Sequence, residues 1–186
     1  EENKKKKIST KDMVQIAMFT AVVAVLSHIA IPMPSGVPVT LQTLAVALCG
    51  YVLGSKKGAV SLLVYALLGA VGAPVFANFK GGLGAIAGPT GGFIWGFIFM
   101  AFLCGLGIES KHKWLAVVLG IAGVLVCHAC GAAQFAIIMG NGFWSSALLV
   151  SVPYLVKDFV SVIIALGAAA LIRSRIIDEA LRSGDY

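Results

Sequence analysis

The sequence predicts an all-α integral membrane protein of six transmembrane helices, with both termini cytoplasmic and a ligand pocket that faces outward beneath external loops. The prediction depends on composition, on six apolar segments and on the placement of basic residues. Hydrophobic residues make up 59% of the 186 residues and charged residues 12%, about half the charged share of a typical soluble domain. Because so few charges cannot cover the surface of a soluble protein, much of the exterior must face lipid.

Six segments approach the roughly 20 apolar residues that a helix needs to cross the hydrocarbon layer of a bilayer. They are Met13–Ile31, Val39–Gly54, Gly58–Ala73, Gly91–Ile108, Trp114–Gly140 and Val152–Ile172. The second and third are short, whereas the fifth is long enough to tilt. No alternating pattern of about ten residues indicates a membrane β-barrel, so helix is the expected spanning structure.

The basic residues set the expected orientation, because loops on the cytoplasmic side carry an excess of Lys and Arg. With the first residues inside, every Lys and Arg except Lys80 and Lys157 falls on the cytoplasmic side. We therefore expect one membrane domain over 1–186, with a basic cytoplasmic tail over 1–11, a six-helix bundle over 12–172 and a cytoplasmic extension over 173–186.

Two other functional classes suggested by composition are disfavoured. The formal net charge of +6 does not indicate nucleic-acid binding, because the basic residues occupy short breaks between apolar segments instead of one continuous face. Cys127-His128-Ala129-Cys130 has CxxC spacing, but no second ligand pair follows it, so we expect small buried residues and no metal site.

A charged side chain inside a span is costly and needs a physical reason. Lys157 and Asp158 occupy the first turns of the sixth segment, after Pro153-Tyr154. Asp158 is either a ligand contact or a carboxylate stabilised by the helix dipole. Adjacent positions on a helix point in different directions, so we expect each of these two charges to have its own partner.

Other polar residues map to the same external half. Asn78 is either a ligand contact or a cap, Gln42 and Thr43 are either ligand contacts or helix-to-helix contacts, and Tyr154 either stacks on a ligand ring or lies at the membrane interface. His28 and His128 are expected to be satisfied residues of the bundle. The long external connection Pro74–Thr90 is expected to fold back into the bundle, where glycine backbone can approach a ligand closely. The glycines proposed for this contact are Gly88, Gly91 and Gly92.

Small residues form a stripe on the first helix, at Ala17, Ala21 and Ala24. Such a stripe permits close contact between membrane helices. The contact is either within this chain or with the helices of another subunit.

Three stretches carry a resemblance to a known family, in order along nearly the whole chain. They are Gly36–Thr43 (GVPVTLQT), the loop from Gly81 with its run Gly88–Phe93 (GPTGGF), and Pro153-Tyr154 with Asp158. These stretches resemble the BioY family, the biotin-specific capture subunits of energy-coupling factor transporters. The Ala17-x-x-x-Ala21 pair matches the motif through which such subunits meet their coupling partner. The family has a Lys three residues after the Asp, whereas this chain has Ser161 there and Lys157 nearby.

The resemblance implies a six-helix capture protein in the cell membrane, with biotin as transported ligand, no cofactor, and a partner complex of a transmembrane coupling subunit and two ABC-type ATPases. The chain contains no phosphate-binding loop of its own, and no HExxH or GxSxG motif that would indicate an enzyme. A capture subunit for another small vitamin and a self-sufficient transporter or channel are the alternatives, although a channel should have polar residues through its full thickness. In the expected pocket, Asp158 and Asn78 face the ureido group of biotin.

Overall fold

A computed structural model gives the structure of residues 9–183, with side chains as far as Arg175. Most of the predicted tail over 1–11, and most of the predicted extension over 173–186 except its helical backbone, therefore lies outside the described residues. The backbone of the last helix continues to Ser183, well beyond Ile172, where the sequence analysis ended the sixth segment.

The described chain is almost entirely helical. The longer helices are α1 (Thr10–Ser27), α2 (Gln42–Leu53), α3 (Ser55–Ala70), α5 (Gly91–Glu109), α6 (Trp114–Met139) and α8 (Val152–Ser183). Two shorter helices are α4 (Leu83–Ala87) and α7 (Phe143–Val150), and a 3₁₀ turn covers Ala77–Phe79. Each of the six predicted apolar segments overlaps one of the longer helices.

Two elements correct the prediction of an all-α chain with simple connections. A two-residue antiparallel ladder pairs β1 (Ala30–Ile31) with β2 (Val39–Thr40), so α2 begins at Gln42 and not at Val39. The connection predicted over Asn141–Ser151 contains α7. Both elements are too short to be detected by a search for segments that span a bilayer.

Four helices are long and apolar enough to cross a membrane, by length and composition: α1, α5, α6 and the part of α8 from Val152 to Arg175. With 12 and 16 residues, α2 and α3 are shorter. At about 1.5 Å per residue they extend about 18 and 24 Å along their axes. Gly54 alone connects them with a φ of 83°, a backbone conformation that glycine adopts without a steric penalty. The two helices therefore fold back on each other as one tight pair.

The core surrounds α2, of whose twelve residues nine are buried. Its members include Val46, Tyr51, Tyr65, Met100 and Val162, from four different helices. Since α2, α5 and α8 begin at the end of the bundle where α3 and α6 finish, the first turns of three helices meet there. This end, which we call the cavity end, holds the candidate site.

Candidate ligand-binding site

A cavity of about 880 Å³, including space open to solvent, occupies the cavity end of the bundle. Apolar side chains form much of the wall, and the polar side chains that face it come from distant parts of the sequence. The apolar wall includes Phe76, Phe93, Ile94, Phe97, Met100 and Val124, and the polar lining includes Thr40, Gln42, Thr43, Asn78, Lys80, His128, Tyr154, Lys157 and Asp158.

Asp158 is the buried centre of a cluster of ionisable side chains. Its residue is 4% exposed, and its Oδ2 lies 2.8 Å from His128 Nε2. Lys157 Nζ contacts the other carboxylate oxygen, Oδ1, and also donates to the Thr40 carbonyl at 2.9 Å. The two adjacent charges also contact each other, which their positions on the helix did not predict, because the flexible lysine side chain reaches back to the neighbouring carboxylate. Each residue nevertheless also has a partner of its own.

His128 is a lining residue that the sequence analysis assigned to the ordinary bundle. It is 7% exposed, it lines the cavity, and its ring lies nearly perpendicular to that of Phe93 with centroids 5.6 Å apart. Its Nε2 faces Asp158, whereas its Nδ1 is buried without a hydrogen-bond partner. Buried polar atoms without partners are rare in folded proteins. This nitrogen therefore offers a contact for a ligand or a water molecule.

Tyr154 combines two roles. Its ring lines the cavity, and its hydroxyl donates to the Val37 carbonyl at 2.6 Å while lying 2.6 Å from Ser35 Oγ. These contacts tie the start of α8 to the loop between β1 and β2. The residue therefore positions one rim of the cavity as well as contributing to its wall.

Gln42 and Thr43 are both buried lining residues at the first turn of α2. Gln42 Nε2 donates to the Tyr65 hydroxyl at 2.7 Å, and that hydroxyl donates to the Val75 carbonyl at 3.0 Å. The Gln42 amide therefore makes a helix-to-helix contact, which was one of the two alternatives for this residue. Thr43 remains a candidate ligand contact.

Asn78 lies in the 3₁₀ turn after α3, with φ 58° and ψ 34°. It lines the cavity and is exposed, as is Lys80, a lining residue that the sequence analysis did not select. The carboxylate of Asp158 and the ammonium groups of Lys157 and Lys80 give these charged lining residues a net charge of +1. A ligand with one negative charge fits this balance.

The three glycines proposed as ligand contacts, Gly88, Gly91 and Gly92, are not among the residues that line the cavity. The structure uses them for packing. Gln134 Nε2 donates to the carbonyls of Ile86 and Gly88 at 2.7 and 2.8 Å. A Cβ at Gly91 would lie 2.6 Å from that nitrogen, and one at Gly92 would lie 2.8 Å from Gln134 Cβ. These glycines let the start of α5 approach α6, and their neighbour Thr90 lines the cavity instead.

The small-residue stripe on α1 divides into two parts. Ala17 and Ala21 are exposed, whereas Ala24 is half-buried and packs against the core. The alternative of packing within this chain therefore describes Ala24 alone. Ala17 and Ala21 lie on an outer face of the bundle beside the exposed Met13, Val14 and Met18.

Comparison with known proteins gives one consistent result. The model of the BioY family matches residues 3–178. The biotin transporter BioY of Thermotoga maritima is 44% identical over 122 residues, which cover 65% of this chain and 72% of that protein. The probable biotin transporter BioY of Pyrococcus horikoshii is 37% identical, over 82% of this chain and 90% of the other.

A solved structure agrees with these relatives. The crystal structure of the S-component for biotin from an ECF-type ABC transporter superposes with a TM-score of 0.77 and 25% sequence identity, covering 88% of this chain and 91% of that chain. The resemblance that the sequence analysis based on three stretches is therefore confirmed along the chain. The chain belongs to the BioY family.

Proposed function

We propose that this chain is the biotin-capture subunit of an energy-coupling factor importer. Its relatives are named biotin transporters, so the chain is a transport component of the cell membrane and not an enzyme. The observation that carries the proposal is the Lys157–Asp158–His128 cluster in the wall of a largely apolar cavity, in which Asp158 and His128 are buried. Such a cluster is expensive to bury, and a ligand that completes its hydrogen bonds explains its presence.

Biotin matches the chemistry of the cavity. Its ureido group presents two N–H donors and one carbonyl acceptor, which fit the Asp158 carboxylate and the Asn78 amide. Its thioether ring fits between the apolar walls that include Phe93 and Tyr154. Its single carboxylate matches the net positive charge of the lining, with Lys157 as the ammonium group beside the cluster.

The position of the lysine also agrees with this reading. Lys157 and Ser161 are four residues apart on α8 and therefore share a face of the helix. Ser161 Oγ donates to the Lys157 carbonyl at 2.9 Å, so the serine points along its own helix. On this proposal Lys157 supplies, one turn earlier, the ammonium group that the family pattern places at Ser161.

We further propose that six helices span the membrane, with both termini cytoplasmic and the cavity open to the outside. The placement of basic residues supports this orientation. The short α2 fits a bundle in which other helices surround it, because nine of its twelve residues are buried.

The transport partners are proposed to be a transmembrane coupling subunit and two ABC-type ATPases. The exposed Ala17 and Ala21 support a docking face on α1, because small side chains let a partner helix approach closely. Ala24 contributes to this face only at its half-buried edge.

The experiment is a titration of the purified protein in detergent with biotin, using riboflavin and thiamine as control ligands. We expect biotin alone to bind the wild-type protein, and Asp158→Asn to weaken binding about 10- to 100-fold, since hydrogen bonds to charged groups contribute about 1.5–3 kcal/mol. The matched control Asp12→Asn removes a carboxylate on α1 that pairs with Lys57 and should bind biotin like the wild type. Binding of another vitamin in place of biotin would reject the proposed ligand, and unchanged binding by Asp158→Asn would reject the site.

A further inference from the structure

The turn that carries Asn78 has an unusual backbone. Asn78 and Phe79, with φ values of 58° and 57°, are the non-glycine residues of positive φ in the part of the chain that the structure describes. A left-handed backbone is unfavourable for residues with a Cβ, and especially for a bulky one such as Phe. Two adjacent residues in this conformation need contacts outside the turn to hold them there.

Contacts with α3 fix the base of the turn. Phe76 is 4% exposed, and its ring packs edge-to-face with that of Tyr65, with centroids 5.3 Å apart. Phe76 N donates to the Lys80 carbonyl at 3.0 Å, which closes the turn across Asn78. These contacts anchor residues on either side of the tip, but they do not include the Phe79 side chain.

The end of α1 holds the turn from the other side. Ser27 Oγ lies 2.7 Å from the Val75 carbonyl, just before the turn. The His28 imidazole stacks on the Phe79 ring, with centroids 4.1 Å apart and planes 16° apart. The last turn of α1 and the residue that caps it therefore hold the base and the tip of the segment that presents Asn78 to the cavity.

We propose that His28 and Phe79 form a positioning pair that keeps Asn78 in its left-handed conformation and thereby sets its place in the cavity wall. The proposal deepens the function proposed above and depends on it for the ligand that Asn78 contacts. Phe79 is 68% exposed, and neither ring lines the cavity. The pair therefore acts on the ligand through Asn78, without touching it.

In this arrangement a flat aromatic ring at position 28 is what holds Phe79, and through it Asn78, in place. Replacing Phe79 by Leu retains a bulky side chain at positive φ and removes the ring that stacks. Replacing His28 by Leu removes the partner surface, whereas Phe at position 28 preserves it. Stacked aromatic pairs contribute about 0.5–1.5 kcal/mol, so loss of the pair should weaken biotin binding roughly threefold to tenfold.

The test compares biotin affinity in His28→Leu, Phe79→Leu and the double variant with the rescue variant His28→Phe. We expect each single variant and the double variant to lose the same roughly threefold to tenfold, and His28→Phe to bind within about twofold of the wild type. The matched control is Trp144→Leu, which breaks another exposed aromatic pair, with Phe143, at 5.3 Å. It should leave affinity unchanged.

The substitution His28→Leu is then also made in an Asn78→Ala background. If the pair acts through Asn78, His28→Leu should have no further effect on affinity there. A loss as large as in the wild-type background would overturn the proposal, because it would show a general structural effect. Full affinity in the single variants would overturn it as well.

A second measurement needs no ligand. Hydrogen exchange of the apo protein should accelerate at least about threefold over residues 75–82 in His28→Leu and Phe79→Leu, and not in Trp144→Leu, because the amides of Phe76 and Lys80 depend on the closed turn. Unchanged exchange would contradict the positioning role. If the wild-type protein bound no biotin, the proposed function would fail, and this exchange result alone would still decide whether the pair holds the turn.

Discussion

The two ends of the helix bundle use polar side chains in different ways. At the cavity end, Asp158, Lys157 and His128 contact one another, and His128 Nδ1 is left without a partner. At the opposite end, the Glu109 carboxylate uses both oxygens on one residue, accepting from Ser55 N and Ser55 Oγ at 2.8 Å each. The cluster at the cavity end keeps unused hydrogen-bonding capacity, whereas the Glu109–Ser55 contact holds the start of α3 to the end of α5.

Other contacts at the opposite end also hold helices together. Arg173 Nη1 donates to the carbonyls of Tyr51 and Val52 at the last turn of α2, at 3.2 and 3.3 Å. A basic group is favourable at a helix C-terminus, where the dipole is negative. Lys57 Nζ binds Asp12 and Gln15 at 3.0 and 2.8 Å, but this pair is about one-third exposed and adds little stability.

The difference shows how buried polar groups divide between ligand binding and stability. A group whose donors and acceptors are all used inside the protein stabilises the fold, because its removal leaves a partner unsatisfied. A buried group with remaining capacity is poorly satisfied in the free protein and gains a partner when a ligand enters. Substitutions at the two ends should therefore change different measured quantities.

The largest effect is expected for His128→Leu. The variant leaves one Asp158 oxygen without its partner and removes the unpartnered Nδ1 of a lining residue, so biotin affinity should fall about 10- to 100-fold. Affinity is measured by titration in detergent and folding by the thermal midpoint. His112→Leu, a substitution in the exposed connection before α6, is the matched control. Unchanged affinity in His128→Leu would mean that the histidine belongs to the fold and not to the site.

For Glu109→Ala we expect a smaller effect, which changes the stability of the fold and not the affinity for biotin. The change removes the acceptor for the first N–H of α3, which acts like a lost helix cap, and should lower the free energy of unfolding by about 1 kcal/mol. Biotin affinity should stay within about twofold of the wild type. Glu109→Gln keeps one acceptor oxygen and should lose about half as much stability. A marked fall in affinity in Glu109→Ala would show that the two ends are coupled, which would contradict the separate roles assigned to their polar groups.

The sequence predicted the long helices well because hydropathy reports burial in lipid directly. The start of α5 at Gly91 and of α6 at Trp114 agree with the predicted segments. The ladder at Ala30–Ile31 and Val39–Thr40 and the helix Phe143–Val150 were missed. The ladder has only two residues in each strand, and the apolar run Phe143–Val150 is far too short to span a bilayer.

The candidate site was predicted in part for a similar reason. A charge such as Asp158 at membrane depth is conspicuous in a sequence, because it would be too costly without a partner. The partner itself is not, since His128 lies 30 residues away and only the packing of α6 against α8 brings the two together. The glycines Gly91 and Gly92 were assigned to the ligand because a close backbone approach was expected, and the structure directs that approach to the carbonyls of Ile86 and Cys130.

The most direct test of the account is an experimental structure of the protein with biotin bound. We expect the ligand in the cavity at the start of α2, α5 and α8, with its ureido N–H groups within hydrogen-bonding distance of Asp158 and its carboxylate beside Lys157. Biotin bound elsewhere, or bound in this cavity with its ureido group remote from Asp158, would contradict the assignment of the buried cluster as the biotin site.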